Sequence, residues 1–216
     1  MADFHTSPES VPLAPARPLL IVDADEVLLR FAEGFERFLA ARALYLDLST
    51  YRLHGNVKRR DDDAVLIDVE VTALLDEFRA ELDSLDAVVH AQDILRGLAP
   101  HLQTVVLSNV SAAQAPARLR NLASLGFDFP LLVNSGLKGP AVKALAKRAG
   151  RPTFFVDDIP HHLASAAQSD PEVLRIHLIG DERLKPLLPP AQDAHLRADT
   201  WREAGDFIRK QLATGA

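Results

Sequence analysis

From Leu19 onward, short apolar runs alternate with longer segments whose apolar residues recur at three- and four-residue intervals. The runs are "LLIVD" (19–23), "TVVLSN" (104–109), "PLLVNS" (130–135), "TFFVDD" (153–158) and "RIHLI" (175–179). Short stretches rich in Val, Ile, Leu and Phe and closed by polar residues predict strands buried on both faces. The segments between the later runs, such as "AAQAPARLRNLASLG" and "KGPAVKALAKRAG", have helical spacing and end in Gly126 and Gly150, where a helix C-cap is expected. "DTWREAGDFIRKQL" predicts a closing helix with Asp199 or Thr200 as its N-cap. Strand–helix–strand alternation of this kind predicts an open α/β parallel sheet with helices on both faces.

One interval breaks the rhythm. Between Phe31 and Ala99 no strand is predicted, only amphipathic helical stretches, "FAEGFERFLAARAL", "AVLIDVEVTALLDEFRAELDSL" and "AQDILRGLAP". "VLIDVEV" (65–71) alternates in part but is read as helix. The polar link "KRRDDD" (58–63) is read as a solvated, self-neutralising loop rather than a phosphate-recognising patch. The expected division is a Pro-rich tail (1–17), extended or disordered because of Pro8, Pro12, Pro15 and Pro18, a core domain (18–30 and 100–216) and a small helical insertion (31–99).

A 48% hydrophobic and 25% charged composition over 216 residues is that of an ordinary globular protein with one sizeable core. The formal net charge of -6 argues against nucleic acid as a partner. There is no apolar run long enough to span a bilayer and no basic, apolar leader, so neither a membrane nor a secretory route is expected. Without cysteine, disulfides and thiolate chemistry are excluded, and a cytoplasmic setting is expected. Any metal must then sit on oxygen or imidazole ligands.

In open α/β sheets, ligands bind beyond the carboxyl ends of the strands. Those ends are unusually polar here: Asp23 and Asp25, Ser108 and Asn109, Asp157 and Asp158. Four carboxylates brought into one pocket repel each other unless a cation neutralises them, and an all-oxygen site suits Mg²⁺. Asp23 and Asp25, two apart on extended backbone, leave on the same side, so one can attack while the other handles protons. A carboxylate nucleophile is useful where the electrophile is phosphorus, since an aspartyl-phosphate splits one displacement into two easier ones. Ser108 and a lysine are the natural donors to the transferring group.

These residues resemble the motifs of the haloacid dehalogenase (HAD) superfamily of Mg²⁺-dependent phosphohydrolases. "LLIVDADEV" matches its first motif at Asp23, Asp25 and Val27; Ser108 in "VVLSN" matches the second; Lys138 in "GLKGPAVKAL" the third; Asp157 and Asp158 in "FFVDD" the fourth. All four occur in order, and the resemblance runs from Leu19 to the C-terminus. Glu26 stands where many members have Gly. The resemblance implies a Rossmann-like core with the insertion as a cap. Asp23 would be the nucleophile, and Asp25 the general acid/base, its backbone carbonyl also given to Mg²⁺. Ser108, Asn109 and Lys138 would bind the phosphate of the substrate, and Asp157 and Asp158 would complete the metal site with Asp23 and Asp25.

Acids at strand ends also serve as turn formers and helix N-caps, and Ser108 alone is compatible with a structural hydroxyl. Lys138 is preferred to Lys143 because it lies at the helix start, nearer the crevice; His161 and His162 are read as supporting or surface residues, and Trp201 as packing. The expected activity is hydrolysis of a small phosphorylated metabolite. A phosphotransferase or mutase, or a catalytically idle binding protein, remains open, as do the phosphoester and the oligomeric state.

Overall fold

The computed structural model describes residues 3–80 and 82–214. Its core is a seven-stranded sheet in the order β1-β6-β5-β2-β7-β8-β9, every pair parallel. The strands are β1 (Phe4–His5), β2 (Pro18–Val22), β5 (Gln103–Ser108), β6 (Leu131–Val133), β7 (Gly150–Asp157), β8 (Leu174–Leu178) and β9 (Leu196–Ala198). The five runs predicted from the sequence fall on β2, β5, β6, β7 and β8. Alternation along them serves two cores at once. Leu20 and Val22 of β2 join the apolar cluster on one face, with Trp201 and Ile208; Leu19 and Ile21 join that on the other, with Val142, Leu145 and Leu163.

Helices cover both faces: α3 (Ala91–Leu98), α4 (Ala115–Ser124) and α7 (Trp201–Thr214) on the first, α5 (Gly139–Ala146) and α6 (Pro160–Ser169) on the second. α7 opens with a capping box. The Glu203 N–H donates to Thr200 Oγ1 at 3.2 Å while the Asp199 N–H donates to Glu203 Oε2 at 2.9 Å. Trp201 is fully buried and its indole N–H donates to Val27 O at 2.7 Å. Gly126 takes φ +77° after α4, the left-handed C-cap expected of it. Gly150, expected to cap a helix, instead opens β7: a Cβ there would lie 2.5 Å from Ala16 C, so glycine is required by close backbone approach.

From Asp3 onward the tail is ordered, against expectation; residues 1 and 2 lie outside the described residues. β1 pairs with β6 in parallel, and Val11 is buried against the second core. Arg148 ties the segment down by donating to the carbonyls of Pro8 and Val11. Pro8 opens a 3₁₀ turn over Pro8–Ser10, and edge pairing with burial overrides the composition.

The insertion is also not purely helical. Alongside α1 (Phe31–Ala40) and α2 (Asp68–Ala80) it contains an antiparallel hairpin of β3 (Leu44–Leu46) and β4 (Val57–Arg59). Of the "VLIDVEV" stretch, Asp68 to Val71 are helical, while Val65 bridges Lys58. Phe31, Phe35, Phe38 and Phe78 form one aromatic cluster that locks α1 to α2. α3, read as part of the insertion, packs on α7 under the sheet.

Candidate active site

β2 lies between β5 and β7, where the strand order reverses, and the polar strand ends meet there. Asp23 follows β2, and its N–H donates to Val156 O of β7 at 3.0 Å. Its Oδ1 accepts from the Ala24 N–H at 2.7 Å and lies 2.7 Å from Lys138 Nζ, whereas Oδ2 has no hydrogen-bond partner among the described residues. Lys138, immediately before α5, also donates to Asp157 Oδ2 at 2.7 Å. The ammonium is only 1% exposed; burial opposes its charge, but Asp157 and Asp23 together hold its pKa above that of an ordinary lysine. Lys143, the rival candidate, is exposed.

What aims Lys138 is a tight helix crossing. The Gly139 N–H donates to Ser165 Oγ of α6 at 3.2 Å, and a Cβ on Gly139 would sit 2.2 Å from Ser165 O. Asp157 is fixed as well, with Oδ1 accepting from the Ile159 N–H at 2.9 Å at the start of α6.

Asp23, Asp157 and Asp158 each present an oxygen to a cluster in which the three atoms lie within 4.8 Å of one another. Burial raises all three carboxyls, and Asp158 goes well above the usual range because Asp157 and Asp23 add their charges. Lys138 offsets only part of that charge. Asp158 Oδ1 and Ser108 Oγ are buried without a hydrogen-bond partner among the described residues, orphaned groups of the kind a ligand would satisfy. The oxygen donors and their uncompensated charge fit a divalent cation such as Mg²⁺.

Sequence reasoning expected four converging carboxylates, but the structure brings three. Asp25 Oδ1 turns instead to Arg118 of α4, whose NH2 lies 2.6 Å away, and Asp25 does not join the cluster of Asp23, Asp157 and Asp158. Burial raises the Asp25 carboxyl while Arg118 opposes the rise. Asn109 lines the cavity, but its side-chain amide is committed to Gly136 O at 3.0 Å, and its Oδ1 accepts from Asn134 at 2.7 Å. It braces the loop that leads to Lys138.

Glu26 adopts φ +57°, the left-handed conformation in which glycine would be unstrained. Its Oε1 accepts from the Ala32 N–H at 2.6 Å, so this carboxyl caps α1 and ties the insertion to the first motif. Burial pushes its pKa up to about 8.

Several contributors carry no motif. Arg118 is a charged residue on the buried face of α4, a face shared with Ala115 and Leu122, and that misfit at helical spacing was its readable signal. Tyr51, in the loop between β3 and β4, donates its hydroxyl to Asp158 Oδ2. His177 on β8 accepts from the Ala191 N–H at Nδ1 (3.0 Å), so its Nε2 carries the proton and donates to Asp158 O at 2.9 Å. His162 is 7% exposed and lines the cavity, with Nδ1 unpartnered among the described residues; burial and the nearby Lys138 charge pull its pKa down to about 4. The cavity holds about 310 Å³ and takes its walls from both sheet loops and insertion.

No family model and no curated protein matches the sequence. Solved structures do match the fold. A conserved haloacid dehalogenase-like protein of unknown function from Agrobacterium tumefaciens superposes with a TM-score of 0.60 at 14% identity, covering 90% of this chain and 99% of its own. The fold is that of the HAD-like hydrolases. A HAD family hydrolase from Deinococcus radiodurans, with bound phosphate and sodium, gives 0.59 at 19% identity and covers 94% and 100% of the two chains. A HAD hydrolase from Bacillus subtilis, bound to magnesium, gives 0.59 at 12% identity over 89% and 99%.

Proposed function

We propose that the protein is a Mg²⁺-dependent phosphatase that hydrolyses a small phosphomonoester through an aspartyl-phosphate on Asp23. The observation that carries this reading is the state of Asp23, which lines the cavity: one oxygen is held by Lys138 and the Ala24 amide, and the other is unpartnered among the described residues. The bound magnesium of the Bacillus subtilis neighbour and the bound phosphate of the Deinococcus radiodurans neighbour are ligands of the kinds the reading requires.

In the first half-reaction Asp23 Oδ2 attacks phosphorus; the O–P bond forms as the ester P–O bond breaks, and Asp25 gives its proton to the leaving oxygen. In the second, water attacks the phosphorus, Asp25 takes its proton, and the Asp23 carboxylate departs. Burial favours the acid form of Asp25 and Arg118 the carboxylate, the two states these steps need. The Ser108 hydroxyl and the Lys138 ammonium donate to the transferring phosphoryl oxygens. Asp23, Asp157 and Asp158 would hold Mg²⁺, with the Asp25 carbonyl beside them. When bound, the ion neutralises charge on the phosphoryl group. The insertion acts as a cap, with Tyr51 closing over Asp158.

Phosphate release from an aryl phosphate, with and without Mg²⁺, tests the reading. Metal-dependent release that Asp23→Asn abolishes supports it; release indifferent to the substitution overturns it.

A further inference from the structure

Most arginines of the insertion are already satisfied. Arg37 pairs with Glu33 and Asp86, Arg42 with Glu77, and Arg60 donates to Leu44 O. Two are not. Arg79, in the last turn of α2, and Arg52, beside Tyr51 in the hairpin loop, both line the cavity, and among the described residues neither side chain forms an ion pair or a hydrogen bond. Arg79 is half-buried and close enough to Asp25 to bear on its charge.

Resting on the phosphatase reading above, we propose that the substrate carries a second anionic group, a carboxylate or a second phosphate, received by Arg79 with Arg52. A guanidinium presents a planar fork of donors that fits either anion. The two arginines come from the insertion, whereas Asp23, Lys138 and Ser108 come from the sheet, so the second anion is read by different elements from those that hold the reacting phosphoryl group. Phe31, Leu48, Leu53 and Leu184 line the same cavity and add apolar wall that suits a short carbon chain. A cavity of about 310 Å³ limits the ligand to a single small metabolite.

Calorimetric titration of the Mg²⁺-loaded wild type with three non-hydrolysable probes decides the matter without turnover: butylphosphonate, its ω-carboxylate and its ω-phosphonate. One or both ω-anions should bind about tenfold or more tighter than butylphosphonate. Arg79→Met should bring that ratio close to one, while Arg79→Lys should keep part of it. Whichever ω-anion binds tighter names the second group. Equal binding of all three probes by the wild type overturns the inference even if phosphomonoesters are hydrolysed. An Arg79-dependent preference in a protein that hydrolyses no phosphomonoester upholds the anion site and removes the phosphatase reading.

Discussion

Arg118 NH2 lies 2.6 Å from Asp25 Oδ1, and the whole arginine side chain is buried under the site. A guanidinium is held so deeply only when its charge is answered, and Asp25 is the group that answers it. Arg118→Met therefore removes the counter-charge of the carboxylate proposed as the general acid/base. We expect about 3 kcal/mol lower stability in urea, the low end for a broken buried pair because Asp25 is partly open to the cavity. Turnover should fall about a hundredfold or more, as expected when a general acid/base is lost.

Gly139 is the residue through which α6 positions Lys138. A Cβ at 2.2 Å from Ser165 O cannot be accommodated without moving the start of α5. Gly139→Ala is expected to cost about 1–3 kcal/mol through overpacking. It should also lower kcat by about a hundredfold through displacement of Lys138. Chemical denaturation and steady-state kinetics check the two effects on the same preparation.

Metal binding at the triad of Asp23, Asp157 and Asp158, as proposed, predicts that stability depends on the ion. A cation that binds only the folded chain raises stability by mass action, by about 2.7 kcal/mol at a hundredfold excess over Kd. Scanning calorimetry in Mg²⁺ against EDTA should show a higher Tm with the ion. In Asp158→Asn that increment should vanish, and the Tm in EDTA should rise because one of three mutually repelling buried acids is gone.

His162 gives a pH signature. Its folded pKa of about 4 lies below the ordinary 6.5, so the fold favours the neutral ring and the unfolded chain binds the proton first. The stability it contributes is complete above pH 6.5 and is lost as the pH falls from there to about 4, by up to about 3 kcal/mol. His162→Gln should flatten that part of the curve of unfolding free energy against pH.

The interior strands were legible because each, even β6 with three residues, lies in an apolar run closed by polar residues. β1, β3, β4 and β9 were not: they lie in mixed polar sequence and exist through the partners they pair with. Asp23, Ser108, Lys138, Asp157 and Asp158 could be read because each sits at a strand end or helix start, positions the local sequence marks. Tyr51, Arg52 and Arg79 reach the cavity only through the placement of the insertion, which no local pattern reports. Asp25 shows both sides: its position was readable, but its pairing with Arg118 depends on how α4 lies under the loop.

The claim on which the rest depends is that Asp23 carries the phosphoryl group. Acid quench of the Mg²⁺-loaded enzyme during turnover of an aryl phosphate, followed by peptide mass spectrometry, reads it directly. A phosphoryl adduct is expected on the peptide containing Asp23, formed at least as fast as phosphate is released and absent in Asp23→Asn. Phosphate released at the full rate with no adduct on Asp23, and undiminished in Asp23→Asn, would contradict it.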